Sequence, residues 1–295
     1  MMNPEGLIST NFKGLKLQSR GKVRDIYKVD DYLLIVTTDR ISAFDVIMPN
    51  PIPGKGEILT RMSVFWFERM KDIVENHLVS TDPLDFPQEC RPYEKELKGR
   101  SMLVKKAKPL PVECVVRGYI SGSGWKDYVR SKTISGIKLP GGLRESSKLS
   151  EPLFTPSTKA PKGKHDMAIT RKEMEDIIGS ERTERIIEIS IAVYDRASNI
   201  AEGAGIIIAD TKMEFGIIED RLILIDELLT PDSSRFWPKE TYEEGKPPKS
   251  FDKQFLRDYL ISLNWNQKPP APVLPKEIIE KTKEKYEEVL NRLIK

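Results

Sequence analysis

Apolar residues in this chain occur in short runs that end at charged turns, between longer amphipathic stretches. Residues 206–209 read IIIA and have the β-branched content of a buried strand. A second apolar run, residues 222–225, follows a charged turn at residues 219–221. Two apolar runs around a short polar turn predict a β-hairpin.

Carboxylates and a lysine follow these apolar runs. Side chains alternate between the faces of a strand, so Asp210, Lys212 and Glu214 are predicted to point the same way. With a loop centred on Asp220, Glu214 would sit directly opposite Asp226, and these like charges would repel unless a cation lay between them. Hard oxygen ligands beside a lysine suit magnesium on nucleotide phosphates. The alternative is an exposed edge hairpin with scattered charges, which the apolar strands disfavour.

Two further strands are predicted near the N-terminus, over residues 23–27 and 32–36. Lys22 and Arg24 lie two residues apart beside a glycine, so on an extended chain they share one face that could cover phosphates. Lys105, at the end of another predicted strand, could reach the same phosphates. A plain surface segment is the alternative interpretation of the Lys22 region.

Amphipathic patterns preceded by serine or threonine predict three helices with side-chain caps. They cover residues 60–74 with Thr60 as the cap, residues 171–178 after Thr170, and residues 181–204 after Ser180.

Arginine and serine residues in small-residue loops predict a second, anionic ligand. Arg117 precedes a Gly- and Ser-rich loop that contains Ser123, and Arg235 ends another polar turn. A simple turn is the alternative for the first loop. The pair His165-Asp166 follows Lys159 in a proline-broken loop without apolar neighbours, which favours a binding role over packing.

Composition narrows the functional classes. The chain has 295 residues, with 48 basic and 45 acidic side chains and a net charge of +3, which argues against a nucleic-acid binder driven by bulk charge. Two cysteines and two histidines exclude a disulfide framework and a multi-histidine metal site. Without a secretion signal or a membrane-length apolar run, a cytoplasmic protein is expected.

Six ordered sequence blocks resemble one known family. They read GKVRDIY, DRISAFDV, PVECVVRGYISGSGW, FTPSTKA, ADTKMEFG and DELLTPDSSRFWP, between about residues 21 and 260. Together they resemble the SAICAR synthetases of purine biosynthesis. The resemblance implies an ATP-dependent ligase that joins L-aspartate to carboxyaminoimidazole ribotide (CAIR). It also implies an α+β fold related to ATP-grasp and kinase-like architectures, with ATP between an antiparallel β N-terminal lobe and an α/β C-terminal lobe.

The resemblance also implies roles for individual residues. For ATP and magnesium these are Lys22, Arg24 and Lys105 on the phosphates, the strand at Glu113 facing the adenine, and Glu214 and Asp226 as Mg²⁺ ligands. At the reaction centre, the resemblance implies that Asp210 and Lys212 are catalytic residues. The residues implied to bind the ribotide are Arg117, Ser123, Arg235 and Arg257. Those implied to line the remaining substrate space are Ser42, Asp45, Lys159 and Asp166.

The predicted organisation has three segments: an N-terminal lobe at residues 1–111, a second lobe at 112–270 and a C-terminal helix at 271–295. The predicted partners are ATP, CAIR and L-aspartate, without nucleic acid or membrane, and a monomer is expected. A kinase would use similar lobes, but the His-Arg-Asp and Asp-Phe-Gly motifs are missing from the sequence. A non-enzymatic nucleotide-binding module would not need the additional arginine-containing loops.

Overall fold

The computed structural model describes residues 5–159 and 166–294. The strands, in chain order, are β1 (Lys16–Arg20), β2 (Arg24–Val29), β3 (Tyr32–Thr37), β4 (Ser42–Ala43), β5 (Val46–Ile47), β6 (Leu78–Ser80), β7 (Ser101–Lys105), β8 (Lys108–Pro109), β9 (Val112–Tyr119), β10 (Thr133–Ile134), β11 (Ile137–Lys138), β12 (Lys148–Thr158), β13 (Ile206–Ile218), β14 (Arg221–Ile225) and β15 (Ser234–Pro238). The helices are α1 (Lys55–Met70), α2 (Glu94–Leu97), α3 (Gly122–Ser131), α4 (Arg171–Ile178), α5 (Ser180–Gly203), α6 (Gln254–Ser262) and α7 (Lys276–Leu293), with 3-10 turns at Pro83–Asp85, Gln88–Tyr93 and Lys239–Thr241.

The chain folds as two compact units, each built from separate stretches of sequence. Unit 1 contains the residues up to Phe67, His77–Ala107 and Asp252–Ile294, and unit 2 contains Glu68–Asn76 and Lys108–Phe251. The predicted second lobe extended to residue 270, whereas residues after Phe251 belong to unit 1. The physical reason is that α6 packs on α7, and the Lys55 ammonium of unit 1 lies 5.9 Å from the centre of the Tyr286 ring on α7.

Unit 1 is organised on an antiparallel sheet of five strands in the order β1-β2-β3-β7-β6. Apolar side chains from its strands, among them Tyr27, Leu34 and Leu103, form a buried core with Phe12. The predicted hairpin over residues 23–36 is confirmed as β2 and β3, with Asp30 in the left-handed region that a tight turn requires (φ 48°).

Unit 2 is organised on the long central strand β13. In the sheet β12-β9-β13-β14, the first half of β13 pairs with β9 and β15, and its second half pairs with β14 and β8. Helix α5 covers one face, where the Tyr194 hydroxyl donates a hydrogen bond of 2.6 Å to the Ile208 carbonyl. A Cβ at Gly118 would lie 1.9 Å from that hydroxyl oxygen, so β9 needs glycine at this point.

Only one of the three predicted helix caps is confirmed. Thr170 forms a complete capping box with Glu173 at the start of α4. Ser180 is not a cap, because Gly179 occupies that position and α5 has no side-chain cap. Thr60 is also wrong as a cap, since α1 begins at Lys55, directly after Gly54 turns the chain with φ 84°.

Candidate functional site

Charged side chains of unit 2 form one row across adjacent strands. Alternation places this row on the face of the sheet opposite α5, because Gly118, which contacts Tyr194, and its neighbour Arg117 point to opposite sides. Asp210 is the register partner of both Arg117 on β9 and Arg235 on β15. We call the following set the polar row: Glu113, Arg117, Asp210, Lys212, Glu214 and Arg235.

One half of the polar row, the lysine sector, alternates cations and anions. The Lys212 ammonium donates to Glu113 Oε1 at 2.6 Å and to Glu214 Oε1 at 2.9 Å. Lys159, just beyond β12, donates to Glu214 Oε2. The predicted common face of Lys212 and Glu214 is therefore confirmed.

Burial and the neighbouring charges shift the pKa values of Glu113, Lys212 and Glu214 in the lysine sector in opposite directions. Burial raises the pKa of Glu113, although the Lys212 charge lowers it in part. Burial would also raise the pKa of Glu214, but the charges of Lys212 and Lys159 outweigh it and lower the pKa to about 2. Burial would lower the pKa of Lys212, and Glu214 and Glu113 instead raise it above its ordinary value. Glu214 and Lys212 are therefore both charged at neutral pH.

The predicted direct opposition of Glu214 and Asp226 is wrong by one residue. Glu214 pairs with Ile225, because the turn consists of Glu219 and Asp220, both with positive φ, rather than being centred on Asp220. Asp226 follows the end of β14 with φ 64° and is half-buried. Its charge contributes to raising the pKa of Lys212, which places it near the lysine sector.

The other half of the polar row, the arginine sector, is centred on Asp210. Its Oδ2 accepts hydrogen bonds from Arg117 Nη1 at 2.9 Å and from Arg235 Nη1 at 2.5 Å. Arg117 also donates from Nε to Thr155 Oγ1 at 3.1 Å and from Nη2 to Ser123 Oγ at 3.3 Å. Asp210 therefore holds both arginines, and Thr155 and Ser123 hold Arg117 as well.

Gly122 at the start of α3 allows the close approach of Arg235. A Cβ at this position, where φ is 54°, would lie 2.2 Å from Arg235 Nη2. At Gly124 a Cβ would meet Arg117 Nε at 3.4 Å, which is an ordinary contact distance. The α3 N-cap, Ser121, makes no side-chain cap. Two guanidinium groups, a serine hydroxyl and a helix N-terminus suit an anion such as a phosphate.

The predicted site residues of unit 1 lie on separate elements. Lys22 lies in the bend between β1 and β2 and donates to Asp45 Oδ1 at 2.5 Å, with both side chains about half exposed. Arg24 begins β2 and is buried, so the expectation of one extended face shared with Lys22 is wrong. Lys105 is exposed at the end of β7, as predicted. Ser42 on β4 and Arg257 on α6 are half-buried.

The loop after Lys159 is described only in part. His165 lies outside the described residues, and its predicted pairing with Asp166 stays a prediction. Asp166 is exposed, and its charge contributes to raising the pKa of Glu113, which places it near the lysine sector.

Comparisons with known proteins decide the family. A family model described as SAICAR synthetase matches residues 17–272. A Geobacter sulfurreducens protein named phosphoribosylaminoimidazole-succinocarboxamide synthase is 62% identical over 289 residues, 98% of either chain. One of the same name from Desulfosudis oleivorans is 61% identical over 285 residues, 97% of either chain. The chain belongs to the SAICAR synthetase family.

Solved structures agree with this assignment. The SAICAR synthase from Saccharomyces cerevisiae complexed with SAICAR has a TM-score of 0.89, at 45% identity and 97% coverage of either chain. A type 2 SAICAR synthetase in complex with ADP, 24% identical and covering 94% of this chain and 97% of that one, shares the fold with a TM-score of 0.69. The predicted family, α+β fold class and ATP-dependent ligase activity in purine biosynthesis are confirmed. Among residues 5–159 and 166–294, no helix has the length and apolar character needed to cross a membrane.

The donor set of the lysine sector fits the magnesium ion expected with ATP. Glu214 is ionised, and Asp226 offers a second carboxylate near the same lysine. Within the described parts of the chain, no three His, Cys, Asp or Glu side chains gather as a metal-binding group. Two carboxylates are sufficient where phosphate oxygens and water complete the shell, as is usual for Mg²⁺ with nucleotides.

Thr155 belongs to the site but is missing from the sequence-based prediction. It orients Arg117 from β12, as the register partner of Val115 on β9. Its sequence signal was its polar character between Phe154 and Pro156, within the block FTPSTKA. That signal could not identify Arg117 as its partner, because the pairing of β12 with β9 is long-range.

Proposed function

We propose that this chain joins the amine of L-aspartate to the carboxylate of CAIR and forms SAICAR, ADP and phosphate. Family membership supports the reaction, as does the likeness to the yeast synthase that was solved as a complex with SAICAR. The observation that carries the proposal is the polar row, which sets a lysine–carboxylate sector beside an arginine–glycine sector on the same strands. The first suits phosphoryl transfer and the second suits an anionic substrate.

The chemistry runs through an acyl phosphate. A carboxylate resists attack because it is an anion and because oxide is a poor leaving group. One carboxylate oxygen of the ribotide therefore attacks the γ-phosphorus of ATP, and the bond to ADP breaks. The aspartate amine then attacks the acyl carbon, phosphate leaves with the C–O bond electrons, and the nitrogen loses a proton. Positioning and charge neutralisation are the enzyme's main tasks.

In the lysine sector, Lys212 lines the reaction centre and neutralises charge on the transferred phosphoryl group, with Lys159 beside it. Glu214 and Asp226 would hold Mg²⁺, which would supply charge neutralisation on the phosphates. Glu113 holds Lys212 through its hydrogen bond, and the adenine contact of its strand stays a prediction.

In the arginine sector, Arg117, Ser123 and Arg235 bind the phosphate of the ribotide, because their donors converge at the start of α3. The remaining assignments follow the family resemblance: Lys22, Arg24 and Lys105 on ATP phosphates, Arg257 on the ribotide, and Ser42, Asp45, Lys159 and Asp166 along the remaining substrate space. A monomer in the cytoplasm also stays a prediction.

The test is ADP release by purified protein with magnesium-ATP, with CAIR and L-aspartate added separately and then together. The proposal expects ADP release that needs both and matches the succinocarboxamide product. ADP release with the ribotide alone would show an acyl phosphate that is formed without coupling. No ADP release in any mixture, with ATP still bound, would overturn the proposal in favour of a binding module.

A further inference from the structure

Asp210 lies on the central strand β13, between β9 and β15. Arg117 and Arg235 are its register partners on the two sides of β13, and one oxygen of Asp210 accepts a hydrogen bond from each. The residue is 4% exposed, so this carboxylate lies inside the sheet's charged face rather than at its rim.

The two guanidinium groups need such a bridge to stay together. Burial lowers the pKa of Arg117, the Asp210 charge opposes that change, and the Arg235 charge adds to it, which is the sign of repulsion between the two arginines. Arginine side chains are also long and lose rotamer freedom when they are fixed. A shared carboxylate oxygen offsets the repulsion and fixes the separation of the two groups.

Glycine completes the arrangement on the other side. Gly122 allows the Arg235 guanidinium to lie against the α3 backbone, where any Cβ would overlap it at 2.2 Å. Arg235 is thus confined between the Asp210 carboxylate and the first residue of α3.

We propose that Asp210 is a positioning residue, which bridges Arg117 and Arg235 so that both guanidinium groups face the phosphate of the ribotide at the start of α3. This inference rests on the phosphate site of the proposed function. It gives Asp210 a role different from the predicted catalytic one, since Asp210 acts through the two arginines that share its oxygen.

The effect of Asp210→Asn on ribotide binding distinguishes a purely electrostatic role of Asp210 from a positioning role. Removing a negative charge beside a bound anion strengthens binding if only the Coulomb energy changes. Without the bridge the separation of the two guanidinium groups is no longer fixed, although Arg117 keeps its hydrogen bonds to Thr155 and Ser123, and binding weakens. We expect the KM for the ribotide to rise about tenfold or more, the scale of one lost charge-assisted hydrogen bond. The KM for ATP and the kcat at saturating ribotide should stay within about twofold.

Gly122→Ala tests the same bridge without changing any charge. Its Cβ displaces the Arg235 guanidinium, so the KM for the ribotide should again rise while that for ATP does not. Matched controls are Asp72→Asn, which removes the partner of Arg196 in the same unit, and Gly141→Ala, where a new Cβ has no neighbour within 4 Å. Both controls should leave the steady-state constants unchanged, and circular dichroism should show all four variants folded.

Arg235→Met separates this inference from the proposed function. A raised KM for the ribotide in Arg235→Met, Asp210→Asn and Gly122→Ala supports the positioning role. An unchanged or lower KM in Asp210→Asn, while Arg235→Met raises it, overturns the positioning role and leaves the phosphate site standing. A fall in kcat of Asp210→Asn with unchanged KM values would instead restore the catalytic role. No effect of Arg235→Met would refute the phosphate site itself.

Discussion

At the scale of single residues, Glu214 shows how a buried carboxylate keeps its charge. Two lysine ammonium groups, those of Lys212 and Lys159, donate to its two oxygens. We predict that Glu214→Gln abolishes turnover, because an amide is a poor Mg²⁺ ligand and because the change removes the anion that Lys212 and Lys159 share, while Lys212 keeps Glu113. Asp226→Asn should do the same through the metal alone. Steady-state ADP release measures both effects.

The control for these variants is Glu202→Gln. Glu202 also pairs with a lysine, Lys239, but on an exposed part of unit 2. Exposed pairs of this kind contribute about 0–1 kcal/mol to stability, so this variant should keep full activity. Retained ligase activity in Glu214→Gln or Asp226→Asn would contradict the magnesium assignment.

The low pKa of Glu214 also links stability to pH. Its pKa falls from 4.5 to about 2 in the folded protein, because the lysine charges outweigh burial. A lowered pKa stabilises the fold above the unfolded value, and this contribution is lost as the pH falls from 4.5 towards 2. The difference in free energy of unfolding between wild type and Glu214→Gln should therefore be larger at about pH 6 than at about pH 3. Urea titrations at both pH values measure it, and an equal difference would contradict the low pKa.

At this scale the sequence was sufficient to predict which charged side chains share a face. It was not sufficient to predict which residues on neighbouring strands they contact. Strand alternation was sufficient to place Lys212 and Glu214 on one face, because it depends only on local geometry. The bridging of two arginines by Asp210, and the role of Thr155, depend on which strands are neighbours. A pattern along one strand contains no such information.

At the scale of elements, the two helices α4 and α5 offer a matched test of capping. Thr170 and Ser180 both precede amphipathic stretches, but only Thr170 bonds the N3 backbone of its helix. We predict that Thr170→Ala lowers the free energy of unfolding by about 1 kcal/mol. Ser180→Ala should change it by less than about 0.5 kcal/mol. Urea unfolding of the two variants measures both changes in the free energy of unfolding. Equal changes would show that the capping box contributes little.

The same elements show where local patterns fail. The hairpin of β13 and β14 was predicted correctly in existence, but its register differs by one residue because a two-residue turn at Glu219 and Asp220 replaces a longer loop. Helix α1 starts at Lys55, five residues before the predicted cap Thr60. Turn length and helix starts depend on backbone geometry that composition describes only loosely.

At the scale of the whole molecule, each unit gathers distant parts of the sequence. Residues after Phe251 join unit 1 through contacts such as the 2.8 Å hydrogen bond from the Leu274 N–H to Asn50 Oδ1. Such a contact spans most of the chain, and no amphipathic pattern specifies its partner. The family and the fold class could be predicted because they depend on ordered motifs that are visible along the sequence. The long-range contacts between residues could not be inferred in the same way.

Thermal unfolding should reveal that magnesium enters this enzyme with the nucleotide. Glu214 and Asp226 supply two carboxylates, fewer ligands than octahedral Mg²⁺ takes, so Mg²⁺ alone should bind weakly. Phosphate oxygens of ATP would complete the shell, and a ligand at a hundredfold its Kd stabilises the native state by about 2.7 kcal/mol. We predict that magnesium-ATP raises Tm by several degrees and that Mg²⁺ alone does not. Asp226→Asn should lose much of the magnesium-dependent part of the increase with ATP. An equal rise with Mg²⁺ alone would show a preformed metal site and contradict this account.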